Sequence, residues 1–281
     1  MREEQTRFCI WLALGPLTLA GCFAQTEEAP ENVSISTSSL EAGNSLSENG
    51  LGSNGLGSNG LSANGLSANG LGSNGLIMSA LNDAATGALN QQFLSYVVSC
   101  ALPQGASISI NVNGTMKRFD GQLGLAPQWG SSDNATCDVN CQQWVSACLI
   151  ARVNAKGHHI ALSMRGSHPA LAPAPGELDN YPNAEATYFG NIFSSNPQRY
   201  ACKMPGSTLI NRVCGEPDTN GNYPSCVANV LGTCDSTLCD AYVGGTSGYY
   251  VGCHPAGQAP YRAITVYRQT SDQDNPYIEG T

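Results

Sequence analysis

Ten cysteines fall between residues 100 and 253 in two groups, Cys100, Cys137, Cys141 and Cys148, then Cys202, Cys214, Cys226, Cys234, Cys239 and Cys253. A chain that must bring such a set together in pairs has few ways to fold. An even count in each group points to two and three disulfides, with the connectivity inside each group open. Each such bridge stabilises by roughly 2–4 kcal/mol on the chain-entropy account. The paired Cys-x-x-Cys ribbons of structural zinc are missing, as is the Cys-x-x-Cys-His of c-type haem. Neither a metal nor a cofactor is expected.

Disulfides need an oxidising compartment, and the N-terminus offers a route to one. Residues 8–19 (FCIWLALGPLTL) are apolar or nearly so. That is the length of a signal-peptide core and too short to span a bilayer as a helix. The run ends in Leu19-Ala20-Gly21-Cys22, a bulky residue, two small ones and a cysteine. This ending resembles the lipobox of bacterial lipoproteins. The resemblance implies that residues 1–21 are a lipoprotein signal peptide and that Cys22 becomes an acylated, lipidated N-terminus. Each buried methylene of a lipid chain contributes about 0.8 kcal/mol, so several chains hold a protein on a membrane where one would let go. Phe23 stands where that family often has Asp for inner-membrane retention, which implies the outer membrane or cell surface. An ordinary secretory cut after Ala24 is the competing reading, and it would discard Cys22.

The formal net charge is −9, and residues 23–76 hold Glu27, Glu28, Glu31, Glu41 and Glu48 with no Lys or Arg. Acidity of this kind argues against nucleic acid as a partner. Residues 22–48, rich in Glu, Ser, Thr and Asn, are expected to form a disordered acidic tether. From Asn49 the triplet Asn-Gly-Leu recurs at 49, 54, 59, 64, 69 and 74. A period of five matches neither helix nor strand, and Asn-Gly is a strong turn signal. The Leu positions resemble the inward apolar residue of pentapeptide-repeat proteins, although Gly precedes Leu where that family prefers Asp or Asn. Residues 49–76 are read first as a flexible spacer, with a short coil packed on the next domain and a ligand-binding segment as the alternatives. As a flexible chain, residues 23–76 would span about 40 Å root-mean-square.

Residues 77–281 should form one Cys-rich α+β domain with a small antiparallel sheet, two helices and a disulfide-stapled, loop-rich C-terminal part. Residues 88–102 place Leu89, Phe93, Val97 and Cys100 or Ala101 at helical spacing, stopped by Pro103 and Gly105. Ile108, Ile110 and Val112 then alternate, Asn113-Gly114 supplies a turn and TMKRF returns, which is a hairpin signature. A second helix is expected from Asn140, spaced from Gln143 as in a capping box, to Gly157 as its left-handed cap. Residues 158–165 alternate as a half-buried strand and 166–186 read as Pro-rich loop. TYFGNIF is ordered but of open type, and residues 261–267 close the chain as a strand with Ile264 and Val266 on one face.

Catalytic residues cannot be assigned from the pattern. Cys141 in the first turn of a helix would have a lowered thiol pKa, but a disulfide with nearby Cys137 explains it better. His158, His159 and His168 offer imidazoles, yet adjacent strand residues face opposite ways, so His158 and His159 do not easily serve one ion. His254 is unassigned. Asp218, Asn220 and Asn222 form an oxygen-rich loop whose Gly is misplaced for an EF-hand, and Asx-turn chemistry accounts for it. Glu177, Asp179 and Glu185 could be proposed as a glycosidase pair, but a Pro-rich context favours solvated loop charges. Tyr242, Tyr249, Tyr250, Tyr261 and Tyr267, among Gly, Ser and Thr, suit either a saccharide or protein surface or a Tyr-rich core.

The repeat together with SYVVSCALP, FDGQLGLAPQW, QQWVSACLIARVNAKG and SMRG resembles a group of uncharacterised myxobacterial lipoproteins, over residues 49 to about 166. That resemblance implies export and lipidation and no particular activity. The chain is accordingly read as a membrane-anchored, exported binding or structural protein of the cell envelope, more a binder than an enzyme, with a glycan or a protein as ligand. A secreted hydrolase with an unrecognised active site is the alternative, to be favoured by a cleft gathering His168, Arg165 and an acid.

Overall fold

Local signals place the first elements. The computed structural model describes residues 39–40, 71, 75–131, 135–153, 161–207, 219 and 226–269. All of them belong to one unit, Ser36–Thr281, and the other unit, Met1–Ile35, lies outside the described residues. Helix α1 (Gly75–Leu81) is followed by α2 (Gly87–Ala101), where the helical spacing predicts a helix. Between them Asp83 Oδ1 accepts hydrogen bonds from the Thr86 backbone N–H at 2.7 Å and the Ala85 N–H at 3.0 Å. Gly87 is needed at the turn, because a Cβ there would lie 2.7 Å from the Leu81 carbonyl oxygen. Asn90 and Gln91 of α2 donate to the Ala80 and Leu81 carbonyls, which α1 leaves open at its end.

Strands β2 (Ser107–Val112) and β3 (Thr115–Asp120) form the expected hairpin, with Asn113 (φ 49°) and Gly114 (φ 83°) in the left-handed region that a two-residue turn requires. Ile110, Val112 and Phe119 are buried and the other face is exposed. Helix α3 (Val139–Ala151) differs at both ends from its expected bounds. Its N-cap is Asp138, not Asn140, with the carboxylate accepting from the Cys141 N–H at 2.8 Å. It stops at Ala151 with Arg152 as C-cap, short of Gly157, which lies outside the described residues. From Trp144 to Ala151 every residue is buried, because α2 covers one side and a sheet the other.

That sheet is the main correction to the expected architecture. The molecule is α+β, but the sheet has six strands, where a small one was anticipated, and the described residues hold four helices, not two. Its order is β1 (Ser39–Leu40), β4 (Leu162–Arg165), β10 (Ala263–Arg268), β5 (Asn183–Asn191), β6 (Gln198–Lys203) and β7 (Asn229–Thr233). All neighbours are antiparallel except β6 and β7. The open-type TYFGNIF segment thus lies largely in a central strand. The Pro-rich stretch carries a short helix, α4 (Glu177–Asn180), and the start of β5.

Strands β8 (Cys239–Val243) and β9 (Tyr249–Cys253) make a separate hairpin that packs on β10 and β5. The stapled C-terminal region is therefore strand-built around its loops. With α3 on one face and this hairpin on the other, the sheet is buried on both sides, and alternation within its strands vanishes: all four residues of β4 and all six of β10 are buried. Ile264 and Val266 join the helix-side core with Phe93, Trp129 and Phe193, as does Leu71 of the repeat. Ala263 joins the opposite cluster with Phe189, Tyr200, Tyr250 and the half-cystines Cys202, Cys234, Cys239 and Cys253.

Candidate binding cleft

Antiparallel pairing of β4 with β10 sets the last residues of one strand beside the first of the other, and α3 begins above them. A cleft of about 580 Å³ opens there. One wall is the first turns of α3, with Asn140 and Gln143, held by the Asp138 cap and by the Cys137–Cys141 disulfide. Ser167, Tyr261 and Arg262 come from the strand ends, and Asp240 and Gly252 from the β8–β9 hairpin.

Arg262 is tied to the helix twice. Its Nε donates to Asn140 Oδ1 at 2.6 Å and its backbone N–H to Gln143 Oε1 at 3.2 Å. Asp240 faces His254, with Oδ1 3.8 Å from Nε2, and lies against the backbone of Gly252. Gly252 has φ 61°, and a Cβ there would stand 2.0 Å from Asp240 Oδ2, so both the conformation and the close approach call for glycine. The Tyr261 ring packs near Phe189 and Tyr200, with centroids 6.3 and 6.0 Å away, and its hydroxyl donates to Gln258 Oε1 at 3.1 Å. Burial, with Tyr200 adding to it, pushes the Tyr261 pKa up. One cation, one carboxylate, two amides, a hydroxyl and an aromatic ring can recognise a polar ligand. Among the described residues lining the cleft, no hydroxyl is hydrogen-bonded to a base as acyl-transfer chemistry requires.

The residues singled out in the sequence are dispersed. Cys100 pairs with Cys148, Cys137 with Cys141, Cys202 with Cys234 and Cys239 with Cys253. Cys226 is also disulfide-bonded. Pairing stays within each of the two sequence groups in every bridge above with both ends named. Three sulfurs, of Cys202, Cys239 and Cys253, lie within 4.8 Å of one another, but each is already in a disulfide and has no thiolate to give a metal. Cys22, Cys214, His158, His159, Asp218, Asn220 and Asn222 lie outside the described residues.

Arg165 and His168 do not meet an acid in a cleft. His168 Nδ1 accepts from the Ala170 N–H at 3.1 Å and the ring packs edge-on against Trp144, centroids 5.2 Å apart, where burial lowers its pKa. Arg165 is buried over the Tyr267 ring at 3.6 Å, donating to Ser163 Oγ, the Ser247 carbonyl and the Tyr181 carbonyl at 3.0, 2.9 and 2.8 Å. Ser163 in turn donates to Glu177 Oε1 at 2.6 Å. Glu177 and Glu185 are buried, where solvated loop charges were expected, and only Asp179 of the three acids is exposed. Glu185 accepts from the Tyr188 hydroxyl at 3.2 Å and lies 3.9 Å from Arg268 Nη1. The tyrosine cluster is divided: Tyr250 and Tyr267 are buried, Tyr249 and Tyr261 half-buried, and Tyr242 is 40% exposed. Asn140 and Gln143 read by spacing only as a helix cap, Asp240 and Arg262 carry no motif, and the spread from residue 140 to 262 hides the four as one site.

The chain is a repeat-containing protein: residues 44–77 match the family model described as GLTT repeat, in six copies. That match spans the Asn-Gly-Leu pentads. No curated protein and no solved structure matches the chain. Among the described residues no helix is long and apolar enough to cross a membrane.

Proposed function

We propose that this chain is an exported, lipid-anchored protein of the bacterial envelope whose disulfide-rich domain serves as a binding or structural module, with a glycan or a protein as its ligand. One observation carries the export: all nine described cysteines, Cys100, Cys137, Cys141, Cys148, Cys202, Cys226, Cys234, Cys239 and Cys253, are oxidised. Disulfides at this density persist in oxidising compartments and not in the cytosol. The lipobox ending in Cys22 supports anchoring, Phe23 in place of Asp supports the outer membrane or cell surface as the destination, and the motifs shared with the myxobacterial group support export and lipidation. Cys141 is bonded to Cys137, so the alternative of a thiol-dependent hydrolase loses its nucleophile.

Metabolic labelling with palmitate and membrane fractionation test the anchor. The parent chain should take up label and sediment with membranes, whereas Cys22→Ala should be unlabelled and soluble. A Cys22→Ala protein that still partitions with membranes defeats the lipid-anchor assignment.

A further inference from the structure

We infer that the cleft between α3, the start of β10 and the β8–β9 hairpin binds the terminal residue of a saccharide that carries a single carboxylate. This deepens the proposal that the domain is a binding module and rests on it. The volume, about 580 Å³, lies within the range of about 300–1,000 Å³ typical of small-ligand sites, and is small for seating a protein surface.

The distribution of donors and acceptors selects the chemistry. Asn140 and Gln143 each commit a carbonyl oxygen to Arg262, which leaves both side-chain NH₂ groups as donors on the cleft wall. Arg262 is exposed, and its guanidinium is anchored through Nε alone, so its two Nη groups form a fork held at one end. Such a fork matches the two oxygens of a carboxylate. Asp240, set against Gly252, is the carboxylate acceptor among the lining residues. It accepts hydrogen bonds from sugar hydroxyls and repels a second anionic group, which disfavours a polyanion. Tyr261 supplies an aromatic surface of the kind on which a sugar ring packs. Hydroxyls in number, one carboxylate and a flat ring face together describe a uronate-type sugar.

Calorimetric titration of the full chain in detergent tests this with three probes: a trisaccharide ending in glucuronate, the same trisaccharide ending in glucose, and a tripeptide with a free C-terminal carboxylate. The glucuronate probe should bind saturably and at least tenfold more tightly than the other two. Arg262→Gln should erase that preference while leaving the near-UV circular dichroism of the fold unchanged. Asn140→Ala, which releases the Nε end of the fork, should reduce it by a smaller factor. Equal affinity for the two sugars, tighter binding of the peptide, or an undiminished preference in Arg262→Gln each overturns the carboxylate assignment while the binding-module proposal stands. Binding of none of the probes overturns the cleft assignment, and the palmitate label on Cys22 then still reports separately on the anchor.

Discussion

On one face of the six-stranded sheet, α2 and α3 press Phe93, Trp129, Leu149, Phe193, Ile264 and Val266 into an apolar core. On the other, the β8–β9 hairpin brings hydroxyls and sulfurs. Thr187 and Thr265 hydroxyls lie 2.8 Å apart, the Tyr250 N–H donates to Thr265 Oγ1 at 3.0 Å, and the Tyr267 hydroxyl donates to the Gly248 carbonyl at 2.7 Å. The helix side is held chiefly by apolar area, which is non-directional, with Cys100–Cys148 joining its helices, whereas the hairpin side relies more on buried hydroxyl hydrogen bonds, which fix angles, beside Cys202–Cys234 and Cys239–Cys253. The Cys239–Cys253 bridge, next in sequence to both Asp240 and Gly252, fixes the hairpin wall of the cleft as Cys137–Cys141 fixes its helix wall.

The largest test of the contrast removes area. Trp129→Ala empties a fully buried site packed edge-on against Phe193, with centroids 5.4 Å apart, and should cost about 3–5 kcal/mol in chemical denaturation. Bridges come next. Cys100–Cys148 closes 48 residues between the two main helices and Cys239–Cys253 closes 14 across the hairpin. Replacing each pair by alanine should cost about 4 and about 3 kcal/mol respectively, from loop-closure entropy. Equal losses would show that the hairpin bridge does more than shorten the unfolded chain.

The smallest effect concerns hydroxyls and pH. Tyr267→Phe removes a buried donor to Gly248 and a contact with the Tyr242 hydroxyl at 3.1 Å, and should cost about 1–2 kcal/mol at neutral pH. Burial raises the Tyr267 pKa, followed by its bond to Tyr242. Above the unfolded tyrosine value of about 10 the unfolded chain then releases protons that the fold retains, so stability falls as pH rises and should fall less steeply in Tyr267→Phe. His168, lowered by burial against the helix side, gives the opposite limb. Below about pH 6.5 the unfolded chain takes up a proton first, so stability falls as pH drops, and His168→Gln should flatten that limb. Thermal melts across the pH range read both, and two unchanged limbs would remove titration from the comparison.

Elements whose partners are close in sequence were legible. Helix α2 and the β2–β3 hairpin follow from spacing and from Asn113-Gly114: the hairpin buries one face only, and the first turns of α2 keep half-buried positions between Asn90 and Phe93, although its end from Tyr96 onward is buried all round. The β4 strand was only half legible. Its alternation implies a solvated face, yet Ser163 and Arg165 are buried opposite Tyr267 and Thr265 of the neighbouring central strand. A second layer reaches over them, and only residues some 80 positions later supply it, as the bond from Arg165 to the Ser247 carbonyl shows. Capping was misread for a smaller reason: Asp138 and Asn140 are both good caps, and the choice falls to whichever residue's oxygen meets a free N–H, here that of Cys141.

By itself, the sequence determined the mixed α+β class, the pentad repeat, the hairpin turn and the separation of the cysteines into two groups. These depend on local backbone preference and on counting, which need no third dimension. The tertiary structure decided that the sheet would be covered on both faces, that buried Arg165 and Glu177 would share Ser163, and that Asn140, Asp240 and Arg262 would line one cleft. Those outcomes come from long-range pairing of β4 with β10 and from packing of the hairpin on β10 and β5. The free energy of such contacts is set by which surfaces meet, and no spacing along the chain records that.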